Sequence, residues 1–161
     1  MKTLKIFSLL LVVVLAATSC KQNNWLDWKT QNQIWLEQNE KNAGVITTPT
    51  GLQYKCIQQG PFANNPNAVR PDNAKIVTVK YSGKLINGYE FDSNESADFY
   101  VSDLVAGFTE GLKKMNEFDI YEFYIPYNLG YGVKGTGTEG TSSHIPPYST
   151  LIFRVYLMDI Q

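Results

Sequence analysis

Few side chains of this 161-residue chain could do covalent chemistry. His144 is its single histidine, and its two cysteines are Cys20 and Cys56. Nucleophilic catalysis needs a base beside the nucleophile, zinc sites use several histidines or paired cysteines, and the chain has no phosphate-binding loop motif. The sequence therefore predicts no nucleophilic catalysis, no metal and no other cofactor. We expect His144 to be an exposed loop residue and Cys56 to be a small buried hydrophobe.

Aromatic side chains are abundant, with 10 Tyr, 8 Phe and 3 Trp. Such rings fill protein cores, and they also line pockets for apolar ligands. Lys and Arg number 14 against 15 Asp and Glu, and they form no basic stripe. The composition thus excludes nucleic acid as an expected partner and leaves both a core and an apolar pocket open.

One aromatic stretch, HIPPYSTLIF at residues 144–153, places two prolines directly before an apolar strand. Proline fixes its own φ and restricts the residue before it. Pro146 and Pro147 should therefore hold the end of the loop extended and fix Ile145. Taken alone, this pattern favours a rigid loop-to-strand junction that binds no ligand.

The N-terminus has the organisation of a secretory signal. Lys2 and Lys5 precede an apolar run from residue 6 to 17 that is too short to span a membrane comfortably. The following Ala-Thr-Ser-Cys resembles the lipidation site of bacterial lipoproteins, which predicts a signal peptide at 1–19 and a lipid on Cys20. The alternative is ordinary cleavage near Ser19 with an unmodified cysteine. Cleavage would change the formal net charge from −1 to −3, because residues 1–19 hold two lysines and no acid.

Hydrophobic periodicity predicts an α+β domain in which antiparallel strands surround one short helix. Asn87-Gly88 predicts a hairpin turn, and residues 45–51 are expected to be a linker. Loops are predicted at 60–74 and 130–143, helices at 24–42 and 103–115, and strands at 52–57, 76–83, 89–92, 99–101, 120–125 and 151–157.

The first of these helices carries all three tryptophans, Trp25, Trp28 and Trp35. Three large rings on a short helix need a surface to cover. Packing onto the main domain is one explanation, and dimerisation or contact with a membrane surface are the others.

From about Gly51 to Gln161, the chain resembles the FK506-binding-protein family of peptidyl-prolyl isomerases. The resemblance rests on several motifs in the same order: TPTGLQY, VTVKYSGKLINGYEFDSN, LVAGFTEGLKKM, IPYNLGYG and HIPPYSTLIFRVYLMDI. In that family an antiparallel sheet wraps a short helix, and the active site is an apolar pocket between them. The resemblance implies the same fold here, with an N-terminal helix added.

The resemblance also assigns the site. It implies catalytic roles for Asp92, Tyr131 and Phe153, with Asp92 as a buried aspartate that Tyr81 could hydrogen-bond and Tyr131 as a donor to the substrate carbonyl. Asp92 could act electrostatically or could only close a turn. Substrate binding falls to the pocket residues Tyr81, Phe91, Leu104, Val105, Phe108 and Ile145, of which Leu104 and Val105 contribute their backbone, Phe108 the floor and Ile145 the rim.

Three features depart from the family pattern. Ala97 falls where an aromatic residue often follows the FDS segment, Phe118 stands where glycine is common, and the loop from Gly132 to Ser143 is long. The first and third bear on substrate preference and macrolide binding, and Phe118 bears on turn geometry.

The resemblance implies a peptidyl-prolyl cis-trans isomerase that acts on proline-containing segments of exported proteins, with FK506-like macrolides as further ligands. Its expected location is the bacterial cell envelope, anchored by lipid and facing the periplasm. The expected organisation is a signal peptide at 1–19, a lipidated tether and helix at 20–50, and an isomerase domain at 51–161. A peptide-binding module or chaperone with little isomerase activity, or a structural envelope lipoprotein, are the alternatives.

Overall fold

The structure, a computed structural model, describes residues 24–161, with side chains from Asp27 onward. The predicted signal peptide, Cys20 and the side chain of Trp25 lie outside this part. The described chain forms two helices and six strands: α1 (Asn24–Asn39), β1 (Val45–Thr47), β2 (Gln53–Gln58), β3 (Ile76–Lys84), β4 (Glu90–Tyr100), α2 (Ala106–Leu112), β5 (Ile120–Ile125) and β6 (Leu151–Ile160).

All six strands belong to one antiparallel sheet with the order β1-β2-β5-β6-β3-β4. The predicted hairpin joins β3 to β4: the Gly88 N–H donates to the Leu85 carbonyl, and Gly88 has a φ of +84°, which glycine adopts without a steric penalty. The α+β fold with a sheet around one short helix is confirmed.

The core lies between the inner face of the sheet and α2. Leu151, Phe153, Val155 and Leu157 alternate inward along β6, as the period of two predicts. Helix α2 packs against β5, and a Cβ at Gly107 would come within 2.4 Å of an Ile125 side-chain carbon. Glycine at this position lets the helix approach the strand closely.

Helix α1 packs on the outer face of the same sheet. The Trp35 ring lies 5.7 Å from that of Tyr124, and the Asn39 amide donates to Gln53 at 2.9 Å. Packing of this helix onto the domain is therefore confirmed for the described side chains. Helix α1 also buries the outer face of the sheet near β2 and β5, where it covers Gln53 and Tyr124.

Several predicted boundaries were wrong because pairing with distant strands decides them. Residues 45–47 of the expected linker form β1 through their register with β2. The two short pieces expected at 89–92 and 99–101 belong to one strand, β4, which pairs with β3 over almost its full length. Helix α2 is shorter than expected, since residues 101–103 form a 3₁₀ turn before it.

Three residues singled out in the sequence, Phe118, Cys56 and His144, have defined surroundings in the fold. Phe118 has a φ of +68°, which explains why glycine suits this turn, and its ring packs 6.0 Å from that of Phe62. Cys56 is half-buried rather than buried, since it lies near the end of β2. His144 is also half-buried, on the loop before β6.

None of the helices among the described residues has the length and apolar character needed to cross a bilayer.

Candidate active site

A cavity of about 220 Å³ opens between the inner face of the sheet and the start of α2. Aromatic and aliphatic side chains make most of its wall, and two carboxylates lie at its edge. The residues that line it are Tyr81, Asp92, Phe99, Asp103, Leu104, Val105, Phe108, Tyr131 and Phe153.

The floor of the cavity is built from rings that meet edge to face. Phe108, on the first turn of α2, lies 4.9 Å from Phe153 with an interplanar angle of 87°. Beneath the floor, Phe108 also meets the fully buried Phe123 at 5.5 Å and 85°. Phe91 packs edge-on against the far side of Phe153 at 5.4 Å. Edge-to-face pairs of this kind hold each ring in a defined orientation, so the floor is preformed.

Gly83 makes room for these rings. It pairs with Phe153 across β3 and β6, and a Cβ at this position would lie 2.7 Å from both the Phe153 and the Phe91 rings. Any side chain here would displace two rings that already contact each other.

We therefore expect Gly83→Ala to lower the free energy of unfolding by about 1–3 kcal/mol, the usual cost of overpacking a core. Urea unfolding followed by fluorescence measures this. Ser82→Ala, a change at the half-buried neighbour, is the control and should stay within about 0.5 kcal/mol of the parent. An unchanged urea midpoint for Gly83→Ala would show that the rings do not need this space.

A polar edge faces the aromatic floor. The Tyr81 hydroxyl donates to Asp92 Oδ2 at 2.7 Å. Burial and this hydrogen bond raise the pKa of Tyr81 well above its ordinary value. Burial, and then the negative charge of Asp92, also raise the pKa of Tyr131. Both phenols therefore stay protonated at neutral pH, where each can donate a hydrogen bond.

Asp92 differs from the expectation of a buried aspartate. Its side chain is exposed, because β4 is the edge strand of the sheet and this part of it faces the cavity opening. The predicted partner is correct, since Tyr81 binds it.

The backbone just before α2 forms the remaining wall. Leu104 and Val105 link the 3₁₀ turn to the helix, and the Val105 carbonyl accepts from the N–H groups of Phe108 and Thr109. The first N–H groups of a helix have no acceptor within it. Peptide N–H donors are therefore available beside the aromatic floor.

The structure brings seven of the nine predicted site residues to the cavity surface. The other two are Phe91, which lies behind Phe153, and Ile145, which is 3% exposed and packs in the core. Ile145 is drawn inward because it forms a bridge with Thr136 across the base of the long loop. Phe91 thus supports Phe153 from behind, and Ile145 belongs to the core without lining the cavity.

Two lining residues were not predicted. Phe99, on β4, has its ring 5.8 Å from that of Tyr81, so the expectation that the chain lacks an aromatic after the FDS segment is wrong. Ala97 pairs with Val79, and Phe99 pairs with Val77. A register shift lies between these pairs and the hairpin, so this alignment cannot be obtained by counting residues along the sequence. Asp103, an exposed acid on the 3₁₀ turn, belongs to no periodic pattern.

Comparison with known proteins adds independent evidence. Residues 67–158 match the family model described as FKBP-type peptidyl-prolyl cis-trans isomerase, and residues 16–56 match the model of the domain amino terminal to that isomerase. The 22 kDa FKBP-type peptidyl-prolyl cis-trans isomerase of Escherichia coli is 40% identical over 130 residues, which cover 78% of this chain and 58% of that protein. The outer membrane protein MIP of Legionella longbeachae is 35% identical over 137 residues, which cover 83% of this chain and 54% of that protein.

Solved structures agree on the fold. The crystal structure of FkpA from Escherichia coli superposes with a TM-score of 0.75 at 32% identity, and the match covers 86% of this chain and 61% of that one. The chain spans little more than half the length of the curated relatives just described. The family match includes the segments that carry every residue lining the cavity. This chain therefore belongs to the FKBP-type peptidyl-prolyl cis-trans isomerase family.

Proposed function

We propose that this protein accelerates rotation about X-Pro peptide bonds and that the aromatic cavity is where it does so. The observation that carries the proposal is the preformed floor of Phe108 and Phe153 beside two protonated tyrosines. Family membership supports it. The substrates would be proline-containing segments of exported proteins.

The reaction asks little of covalent chemistry. Rotation about the peptide bond must overcome a barrier of about 18–20 kcal/mol, which comes from amide resonance. No bond is made, so a catalyst needs only to bind the twisted amide more tightly than the planar one. An acceleration of about 10⁴-fold corresponds to roughly 5–6 kcal/mol of such differential binding.

An apolar cavity provides differential binding of the right sign. The planar amide has a larger separation of charge than the twisted amide, so removal from water penalises the twisted form less. Phe153, on the aromatic floor, would contact the proline ring. Substrate binding would fall to Tyr81, Phe91, Leu104, Val105, Phe108 and Ile145, with Phe91 acting from behind Phe153 and Ile145 acting from the core.

Two polar groups would orient the substrate. The Tyr131 hydroxyl would donate to a substrate carbonyl, while the backbone of Leu104 and Val105 receives the peptide on the other side. Asp92 would keep the Tyr81 hydroxyl in place through their hydrogen bond. Its charge would also act on the carbonyl carbon of the twisted amide.

The tyrosine pKa values predict the pH dependence. A raised pKa means that Tyr81 and Tyr131 remain donors beyond the ordinary value of about 10. We expect kcat/KM to be flat from about pH 8 to about pH 10. The free energy of unfolding should also depend on pH, because the tyrosines of the unfolded chain lose their protons at a lower pH than those of the folded chain. It should keep its full value below about pH 10 and fall above it. A loss of activity with a midpoint near pH 9, while fluorescence reports a folded chain, would contradict this.

FK506-like macrolides are the second proposed class of ligand, since they would present an apolar ring system to the same floor. The Gly132–Ser143 loop would lie along one side of this ligand. It is attached to the hairpin through the Tyr89 hydroxyl, which donates to the Ser142 carbonyl at 3.1 Å.

A peptide-binding module or chaperone on the same fold is the alternative function. Refolding of a denatured protein with a slow proline-limited phase separates the two. An isomerase should shorten that phase at a few per cent of the substrate concentration, whereas a holding chaperone should act only near equal concentrations. A slow phase unchanged by sub-stoichiometric protein would favour the alternative.

We further propose that the chain is exported to the bacterial cell envelope, with a signal peptide at 1–19 and a lipid on Cys20. Residues 20–50 would form the tether and helix, and residues 51–161 the isomerase domain facing the periplasm. The name of the Legionella relative, an outer membrane protein, supports the cell-envelope assignment. In cells, the parent chain should sediment with membranes and a Cys20→Ser variant should be soluble. Equal partitioning of the two would reject the anchor.

A further inference from the structure

Helix α1 contacts a segment that leads directly into the candidate active site. We call residues 146–150 the entry segment, because they join the long loop to β6. The Trp28 indole N–H donates to the Ser149 hydroxyl at 3.0 Å, and that hydroxyl donates onward to the Pro146 carbonyl at 2.7 Å. Trp28 on α1 is thus connected directly to Ser149 and, through it, to Pro146 in the entry segment.

Asn32 makes a second connection one helical turn further along. Its side chain is 2% exposed, and its Oδ1 accepts the Thr150 backbone N–H at 2.7 Å. Its Nδ2 donates to the Trp28 carbonyl at 2.8 Å, which fixes the orientation of the amide. Thr150 precedes β6 by one residue, and Phe153 follows three residues later.

The entry segment also contains a strained residue. Tyr148 has a φ of +62°, which is unfavourable for a residue with a Cβ and persists only where the surroundings impose it. The Lys29 ammonium lies 5.1 Å from the Tyr148 ring. The Tyr127 ring lies 5.3 Å from the same Tyr148 ring. Helix α1 therefore supplies part of the packing around this residue.

The strained backbone in turn holds the loop that carries Tyr131. The Tyr148 N–H donates to the Gly132 carbonyl at 3.0 Å, and the Gly132 N–H donates to the Tyr127 carbonyl at 2.8 Å. Gly132 is the residue directly after Tyr131. Contacts thus continue from α1, through the entry segment, to both Tyr131 and the start of the strand that carries Phe153.

We propose that Trp28 and Asn32 are positioning residues for the cavity. They hold the entry segment in its strained conformation, and through it they set the places of Tyr131 and Phe153. The kinetic part of this proposal rests on the proposed isomerase function, whereas the structural part does not. It gives α1 a role in the site although none of its residues with described side chains, 27–39, lines the cavity.

The test compares Asn32→Ala with Asn39→Ala in the purified full chain. Both changes remove a buried amide from the same helix, but Asn39 binds Gln53 on β2, away from the entry segment. Hydrogen exchange of the Tyr148 amide and the NMR ring resonances of Tyr131 report on positioning. Isomerisation of an X-Pro-Phe peptide reports on function, at a temperature where both variants are folded.

For Asn32→Ala we expect Tyr148 exchange to be about tenfold faster, the Tyr131 ring resonances to shift, and kcat/KM to fall about fivefold. Asn39→Ala should leave all three within about twofold of the parent. Trp28→Phe, which keeps an apolar ring but removes the N–H donor, should change the same quantities in the same direction by less.

Equal effects of the two alanine variants on Tyr148 exchange and on Tyr131 would overturn the proposal, because α1 would then stabilise the domain as a whole. An inactive parent protein would reject the proposed function alone. In that case the Tyr148 exchange rate and the Tyr131 resonances still decide whether α1 positions the site.

Discussion

Phe153→Leu should lower kcat/KM for an X-Pro-Phe peptide by about tenfold or more, which corresponds to at least about 1.4 kcal/mol of transition-state binding. Leucine keeps much of the apolar volume but has no ring. The side chain would no longer meet Phe108 and Phe91 edge to face. The aromatic floor would then lose the flat surface that contacts the substrate. The chain should remain folded, because substitutions that nearly conserve volume are tolerated in cores.

Phe123→Leu is the matched control for this prediction. Phe123 pairs with Phe153 across β5 and β6, and its ring also meets Phe108 edge to face. It is fully buried and does not line the cavity. The same change there should lower stability at least as much, while kcat/KM stays within about threefold of the parent. Equal loss of activity in both variants would show that general packing, and not the wall of the cavity, determines the rate.

The largest loss of stability is expected from Asp119→Ala, at about 3 kcal/mol. The Asp119 carboxylate is 1% exposed and accepts the N–H groups of Gly60 and Asn116 at 2.7 and 2.8 Å. It thereby joins the 60–74 loop to the turn before β5. Alanine would leave one buried and one partly buried donor without their acceptors, at about 1–3 kcal/mol for each buried donor.

Urea unfolding measures this loss, and two variants calibrate it. Asp119→Asn keeps one acceptor oxygen and should lose about half as much free energy. Asp98→Ala removes an exposed carboxylate that accepts the Thr78 hydroxyl, and it should stay within about 0.5 kcal/mol of the parent. A loss below about 1 kcal/mol for Asp119→Ala would mean that other groups or water satisfy the two donors.

The parts of the fold predicted correctly from the sequence are those that local patterns control. Alternation along β5 and β6 identified the core face, because a half-buried strand repeats every two residues. Asn87-Gly88 located the hairpin, since this dipeptide adopts the positive φ values that the turn needs. Tyr81, Phe108 and Phe153 were found through motif order, and all three line the cavity.

Other features depend on contacts between distant parts of the chain. Strand β1 has an exposed Ile46 and little periodicity, and its pairing with β2 alone makes it a strand. Phe99 was missed because β4 is irregular opposite Val79 and Tyr81, so counting outward from the hairpin gives the wrong alignment. The partners of Trp28 and Asn32 lie 121 and 118 residues further along the chain, and no local pattern indicates such pairs.

The central claim is that this cavity accelerates prolyl isomerisation, and NMR exchange spectroscopy on a short X-Pro-Phe peptide tests it most directly. The purified chain should accelerate cis-trans exchange of the peptide in proportion to its concentration, and an equal amount of Phe153→Leu should give about a tenth of that acceleration or less. If the folded parent chain leaves the exchange rate at its uncatalysed value, the claim is wrong, and the alternative of a peptide-binding module is favoured.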